Sequence, residues 1–216
     1  MSRLLEVEDL RVSFHSYAGE VKAVRGISFG VEKGETLVLV GESGCGKSVT
    51  AKALMRLFDR TSGEIMPGSK IIFDGQDVLA LSRKELYAFR GAQIGMIFQD
   101  PMTSLDPTMT VGKQVGESLM IHKGISMREA EKEAIDLLRM VEIPNPEERI
   151  KAYPHQLSGG MRQRVVIATA LACNPKLLIA DEPTTALDVT IQAQVLDLLR
   201  DLKKRLGTAI ILVTHD

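Results

Sequence analysis

Tryptophan is absent from the 216 residues, and aromatic side chains make up 4% of them. So few flat rings exclude a stacking platform for single-stranded nucleic acid as the main design. Cysteine occurs twice, at Cys45 and Cys173. Two are too few for a disulfide framework, and no metal-ligand spacing surrounds them, which points to a reducing compartment. A surplus of charge is also missing: 27 Lys and Arg face 28 Asp and Glu, for a net charge of −1. Dedicated nucleic-acid binders carry a basic excess or patch, so no nucleic-acid partner is expected. No apolar run approaches the roughly 18 residues that suggest a membrane span. The opening MSRLLEVEDL holds Glu6, Glu8 and Asp9 where a secretory leader would be apolar, so no signal peptide is expected. Internal repeats and low-complexity tracts are lacking as well.

What is present suits a globular chain with a proper core: 44% hydrophobic and 25% charged residues. The length fits one domain, or one domain with an inserted lobe. LLEVEDLRVSF and VKAVRGISFGVE read as strands of an antiparallel layer, broken near Ser16, Tyr17, Ala18 and Gly19. Four short continuous apolar runs follow: TLVLV (36–40), IGMIF (94–98), LLIA (177–180) and AIILV (209–213). Runs of that kind suit strands covered on both faces, as in a parallel sheet flanked by helices. Helices are predicted for Lys47 to Phe58, Met127 to Val141 after an N-capping Ser126, Ser158 to Ala172, and Thr190 to Arg205. The Met-rich stretch 110–155 reads as a helical lobe inserted between strands. The fold class is α/β.

GESGCGKS, Gly41 to Ser48, sits between the run TLVLV and a predicted helix and matches the phosphate-binding loop G-x-x-x-x-G-K-[ST]. Glycine permits the positive φ angles that turn successive backbone N–H groups inward as an anion cradle. The helix adds its positive N-terminal end. In this reading Gly41, Glu42, Ser43, Gly44, Cys45 and Gly46 wrap the phosphates and Val49 closes the loop. Lys47 reaches the β- and γ-phosphates, and Ser48 places its hydroxyl on Mg²⁺. The expected ligands are therefore ATP and Mg²⁺. Cys45 is read as a small spacer, since no base partner is evident for it.

LLIADEP, Leu177 to Pro183, ends an apolar strand in two carboxylates. Adjacent residues in a strand point in opposite directions, so Asp181 is free to serve the Mg²⁺ while Glu182 faces the γ-phosphate as general base for water. LSGGMRQRV, Leu157 to Val165, places Ser158, Gly159 and Gly160 just before a helix, a second anion-binding terminus. One nucleotide needs only one such cradle. The simplest use of two is a head-to-tail dimer in which the loop of one subunit and the SGG of the other hold one ATP.

Taken together, the motifs resemble those of the ATP-binding cassette (ABC) ATPases over essentially the whole chain. The matching pieces run in order: GESGCGKS, FQDP with Gln99, LSGGMRQR, LLIADEP, ALD with Asp188, and VTHD with His215. The resemblance implies a P-loop NTPase cassette with an antiparallel β subdomain over about 1–35 and 60–80. A RecA-like core over 36–100 and 160–216 and a helical subdomain over 101–159 complete it. It implies that Gln99 joins the Mg²⁺ site to the helical lobe and that Asp188 communicates between two composite sites. His215 would contact the γ-phosphate and orient the water and Glu182. Tyr17 is the first candidate to stack on adenine, ahead of Phe14 and His15, although SYAGEVKA carries an extra residue or two relative to the family pattern.

FQDPMTSLDPTMTVGKQ, VGESGCGKSVTAKALMRL, YPHQLSGGMRQRVVIA and DEPTTALDVTIQAQVLDLL resemble the corresponding stretches of the oligopeptide/dipeptide and nickel importer ATPases. That resemblance implies an ATPase subunit on the cytoplasmic face of the membrane, paired with a second such ATPase beneath two permeases and fed by an extracellular solute-binding protein. A permease helix would dock around residues 99–125, with exposed Met102, Met109 and Met120 lining its groove. Family members continue past the switch histidine, so this chain is expected to be truncated, and an iron–sulfur segment of the kind some relatives carry would lie beyond it. Other solutes such as nickel, or a DNA-repair ABC ATPase, are the alternatives. The compact distance between loop and signature disfavours the latter.

Overall fold

A computed structural model describes residues 3–17, 19–58, 63–185 and 187–215. Ala18 in the expected first break, Ala186 in ALD and Asp216 in VTHD lie outside the described residues. Two sheets form the frame. In the first, β1 (Leu5–Ser16) pairs antiparallel with β2 (Gly19–Val31) from Leu5↔Val31 to Ser16↔Gly19. Its other side meets β4 (Gly63–Ile65) and β5 (Lys70–Phe73), which pairs in turn with β6 (Gln76–Asp77). In the second, β3 (Thr36–Val40), β7 (Ile94–Ile97), β8 (Leu177–Asp181) and β9 (Ala209–Thr214) run parallel in the order β3-β9-β8-β7.

Parallel neighbours need crossover connections, and helices supply them. Helix α1 (Lys47–Leu54) follows β3, α2 (Arg83–Ala92) precedes β7, and α8 (Val189–Leu206) joins β8 to β9. Between β7 and β8 come α3 (Pro101–Ser104), α4 (Val111–Lys123), α5 (Met127–Met140), α6 (Pro146–Arg149) and α7 (Gly159–Leu171). Helix α5 starts where its sequence dictates. Ser126 accepts from the Glu129 N–H while the Glu129 carboxylate accepts from the Ser126 N–H, a reciprocal cap of which each half is worth about 1 kcal/mol.

The parallel sheet splits its side chains by the two-residue period of a strand. Leu177 and Ile179 of β8 and Ile211 and Val213 of β9 face one cluster, with Leu10 of β1 and Ala51 and Leu54 of α1. Leu178, Ala180 and Ile210 face the other, with Val165 and Ile167 of α7 and Val195 and Leu199 of α8. Burying both faces puts β8, and the carboxylates at its end, at the centre of the molecule.

Three expectations need correcting. The run TLVLV is not covered on both faces: Val38 and Val40 are 46% and 66% exposed, because their side of β3 opens on a groove beneath β2 instead of a helix. The helix expected to reach Phe58 ends at Leu54, because Arg56 takes φ 52 and its guanidinium turns away to bond the Val78 and Leu81 carbonyls at 3.1 and 2.8 Å. Of the three methionines expected on a docking groove, only Met102 is exposed. Met109 is half-buried, and Met120 packs against the helical core.

Candidate functional site

The loop leaving β3 is built by two left-handed glycines, Gly44 (φ 82) and Gly46 (φ 94). Gly46 caps α1 without a side chain, and a Cβ there would stand 2.5 Å from the Ala23 carbonyl oxygen of β2. Lys47 lies buried across the loop, its Nζ donating to the Gly41 and Glu42 carbonyls at 2.6 and 2.9 Å. Thr50 donates to the Gly46 carbonyl at 2.9 Å. No acidic residue occupies the first turn of α1, so an anion at this terminus meets backbone N–H groups and an ammonium with no carboxylate on that turn to oppose it. Cys45 is exposed, with its Sγ 4.0 Å from the Lys47 Nζ. A groove of about 790 Å³ adjoins the loop, lined by Val21, Val24, Val38 and Val40 with Gly44 to Lys47. Tyr17, in the turn between β1 and β2, is fully exposed and is not among the groove's lining residues. Phe14 stacks edge-on against Phe58 at 5.7 Å, and His15 lies 3.6 Å from Glu64.

Ser48, the second residue of α1, donates to the Asp181 carboxylate at 2.8 Å. Asp181 ends β8 and is 2% exposed. Burial pushes its pKa above the usual carboxylate range, against the hydrogen bond from Ser48 and the ammonium groups of Lys52 and Lys47. A buried carboxylate next to a hydroxyl is a hard oxygen pair of the kind Mg²⁺ takes from a protein when phosphates complete its shell, so the residues present fit that ion.

Glu182 follows with φ 47, a left-handed conformation that costs a non-glycine residue about 1–3 kcal/mol. That turn separates the two neighbouring carboxylates. On Glu182 Oε2 three groups converge: Gln99 Nε2 donates at 2.9 Å, Thr185 Oγ1 donates at 3.0 Å, and His215 Nδ1 stands 3.5 Å away. Segments 83 positions apart thus meet at one oxygen. Gln99 lies past the end of β7 and His215 past the end of β9, on the carboxyl ends of parallel strands, where open α/β sheets bind ligands.

The SGG stretch is placed elsewhere. Ser158 caps α7, its Oγ accepting from the Met161 N–H at 3.3 Å, and Ser158 and Gly159 are exposed. Gly160 packs on Ile191, whose Cγ2 would lie 3.0 Å from an added Cβ. Asp188 caps α8 by accepting from the Ile191 N–H at 3.0 Å. Among the described residues no hydrogen bond joins 158–160 to the loop 41–48. The chain therefore gathers Lys47, Ser48, Asp181, Glu182, Gln99 and His215 into one region and leaves SGG apart. Sequence reasoning missed Thr185, although it stands in DEPTT three residues from Glu182. It also missed Gln163 of α7, which donates to the Pro183 carbonyl at 2.6 Å.

A family model described as "ABC transporter" matches residues 24–185. The chain is 60% identical over its full length to the oligopeptide transport ATP-binding protein OppD of Bacillus subtilis (strain 168), and 56% identical to the dipeptide transport ATP-binding protein DppD of the same organism. It spans 60% and 64% of those relatives' own lengths. Among solved structures, the ATP-binding cassette MJ0796, captured as a dimer in a post-hydrolysis state bound to ADP and Pi, superposes with a TM-score of 0.85 at 29% identity. The match covers 98% of this chain and 88% of that one.

Proposed function

The chain belongs to the ABC transporter family, and from that premise we propose that it is the ATP-hydrolysing subunit of a membrane importer for di- and oligopeptides. The observation that carries the hydrolytic part is the convergence of Gln99, Thr185 and His215 on the Glu182 carboxylate, one residue beyond the Ser48–Asp181 pair. The peptide part draws support from the relatives, both named as ATP-binding proteins of peptide transport.

In this reading the backbone N–H groups of 41–48 and the Lys47 ammonium hold the triphosphate. Lys47 gives up its carbonyl partners Gly41 and Glu42 for phosphate oxygens when ATP enters. Ser48 and Asp181 would hold Mg²⁺, which would supply positive charge against the phosphates. Glu182 accepts a proton from the attacking water as the water's oxygen bonds the γ-phosphorus and the bond to ADP breaks. His215 and Gln99 orient that carboxylate and water. Ser158, Gly159 and Gly160 complete the nucleotide site of a second, head-to-tail subunit, and Asp188 lies between the two sites. Tyr17 is assigned to the adenine. The antiparallel sheet of 1–35 and 60–80, the core of 36–100 and 160–216 and the helical part of 101–159 act as three subdomains. The helical part meets one of two permeases on the cytoplasmic membrane face, with an external binding protein delivering peptide.

The test is MgATP hydrolysis and labelled-peptide uptake by the full-length protein assembled with its transporter partners, wild type against Glu182→Gln. Loss of both activities with ATP binding retained is expected. Turnover surviving in Glu182→Gln removes the base assignment, and uptake indifferent to the variant removes the transport role.

A further inference from the structure

Helix α7 does more than present the SGG stretch at its start. Five residues beyond its cap, Gln163 is 0% exposed, and its Nε2 donates to the Pro183 carbonyl at 2.6 Å. That carbonyl belongs to the residue directly after Glu182. On the other side of Glu182 the backbone is also held, since its own N–H donates to the Val213 carbonyl of β9 at 3.0 Å. Glu182 therefore sits in a left-handed conformation between two main-chain anchors, one on the sheet and one on α7. A strained conformation persists only where its surroundings fix it, and Gln163 is the side chain that fixes the α7 side. Its Oε1 is buried and finds no donor among the described residues, so the hydrogen bond to Pro183 is the amide's one anchoring contact there.

We infer that Gln163 is a positioning residue that sets the reach of Glu182 and ties it to the SGG terminus of the same helix. The assignment rests on Glu182 being the hydrolytic base. The SGG of this subunit closes on the nucleotide of its partner, while Gln163 steadies the base over this subunit's own nucleotide. One rigid helix thus connects the two sites of a pair. The neighbouring side chains fit that role: Arg162 contacts the Met102 sulfur just past Gln99 and bonds the Pro154 carbonyl at 2.7 Å, and Arg164 bonds the Val141 carbonyl at 2.8 Å.

The experiment measures MgATP turnover of the full-length protein with its partner subunit, together with nucleotide affinity from a fluorescent ATP analogue. Gln163→Leu keeps the volume and removes the donor. The expected loss is about ten- to hundredfold in kcat, the scale of a misplaced catalytic group, with KM and nucleotide affinity within about twofold. In Gln163→Glu a protonated carboxyl still donates to Pro183 and an ionised one does not, and burial favours the protonated form. Its turnover relative to wild type is expected to be greatest at the acidic end of the range and to fall as pH rises, while the Gln163→Leu ratio stays flat. In a Glu182→Gln background, adding Gln163→Leu is expected to change residual turnover by less than about twofold, because the two act as a unit. The inference is overturned by unchanged kcat in Gln163→Leu, by a Gln163→Glu turnover no higher than that of Gln163→Leu at the acidic end of the range, or by an equal loss in both backgrounds. Full turnover in Glu182→Gln alone overturns the base assignment and the inference with it. An inactive Glu182→Gln beside an active Gln163→Leu overturns the inference only.

Discussion

Two glycines of the phosphate loop share a backbone conformation but not a neighbourhood, and that contrast yields a sharp prediction. Gly44 has φ 82 and open space where a Cβ would go, whereas Gly46 has φ 94 and would place a Cβ 2.5 Å from the Ala23 carbonyl oxygen. Both alanine variants put an L side chain in left-handed space, at about 1–2 kcal/mol. Both recover about 0.4–1 kcal/mol by restricting the unfolded chain. Gly44→Ala is left with roughly 1 kcal/mol, which lowers the Tm of a chain this size by about 2–4 °C. Gly46→Ala must also move β2 or α1 until the contact reaches the 3.4 Å of ordinary van der Waals packing, so about 0.9 Å of displacement between backbone segments. Forcing extra volume into packed structure adds about 1–3 kcal/mol, bringing the sum to about 2–4 kcal/mol and the Tm loss to roughly 5–15 °C. Thermal unfolding followed by circular dichroism, beside titration with a fluorescent ATP analogue, reads both effects. Gly44→Ala should keep a cradle of nearly the same shape, and Gly46→Ala should lose affinity together with Tm. Equal Tm values for the two variants, or a Gly46→Ala protein that binds nucleotide as wild type does, would refute the claim that Gly46 is required by contact with β2.

Lys47→Ala removes the ammonium that spans the loop and should weaken nucleotide binding by at least tenfold, the worth of one charge-assisted contact, about 1.5–3 kcal/mol; equilibrium dialysis with labelled ATP checks it. Asp181→Asn should raise the stability of the nucleotide-free protein near neutral pH while abolishing Mg²⁺-dependent turnover. The Asp181 pKa is raised by burial, so its protonated form stabilises the fold fully below the usual carboxylate range, and that contribution is lost as pH rises through the folded value. Urea titrations across pH should show this slope in wild type and not in Asp181→Asn. Ser126→Ala breaks the cap of α5 and should cost about 1 kcal/mol, visible as a Tm loss of roughly 2–4 °C, with no change in nucleotide affinity.

The sequence made legible what backbone geometry dictates. GESGCGKS announces its own conformation through its glycines, two of which take positive φ. The period-2 and continuous apolar runs located β1, β2, β3, β7, β8 and β9 but not the short β4, β5 and β6, and Ser126 and Ser158 marked helix starts that the structure reproduces. Contacts between distant segments were less accessible. Gln99 and Glu182 are 83 positions apart, and only folding brings their side chains to 2.9 Å. Thr185 and Gln163 carry no motif of their own, so nothing local separates them from ordinary polar residues. The error on β3 has the same origin. TLVLV reads like a strand covered on both sides, yet the exposure of Val38 and Val40 is set by what lies across β2, information no five-residue window contains.

The pair Asp181 and Glu182 shows how one dipeptide acquires two electrostatic characters. Alternation in the strand alone would only point them to opposite sides of the sheet. The structure goes further: Asp181 stays within β8 and loses its water, while the left-handed turn at Glu182 carries the next carboxylate to the sheet's end, where polar side chains meet it. A buried carboxylate without full compensation is unfavourable in the free protein. A divalent cation held by Ser48 and Asp181 would relieve that cost, and the burial of Asp181 would then raise the site's preference for a metal-bearing triphosphate over the bare anion. Affinity for the nucleotide should therefore fall more in Asp181→Asn when Mg²⁺ is present than when it is chelated. An equal fall in both conditions would place the role of Asp181 in the scaffold of the loop and not at the metal.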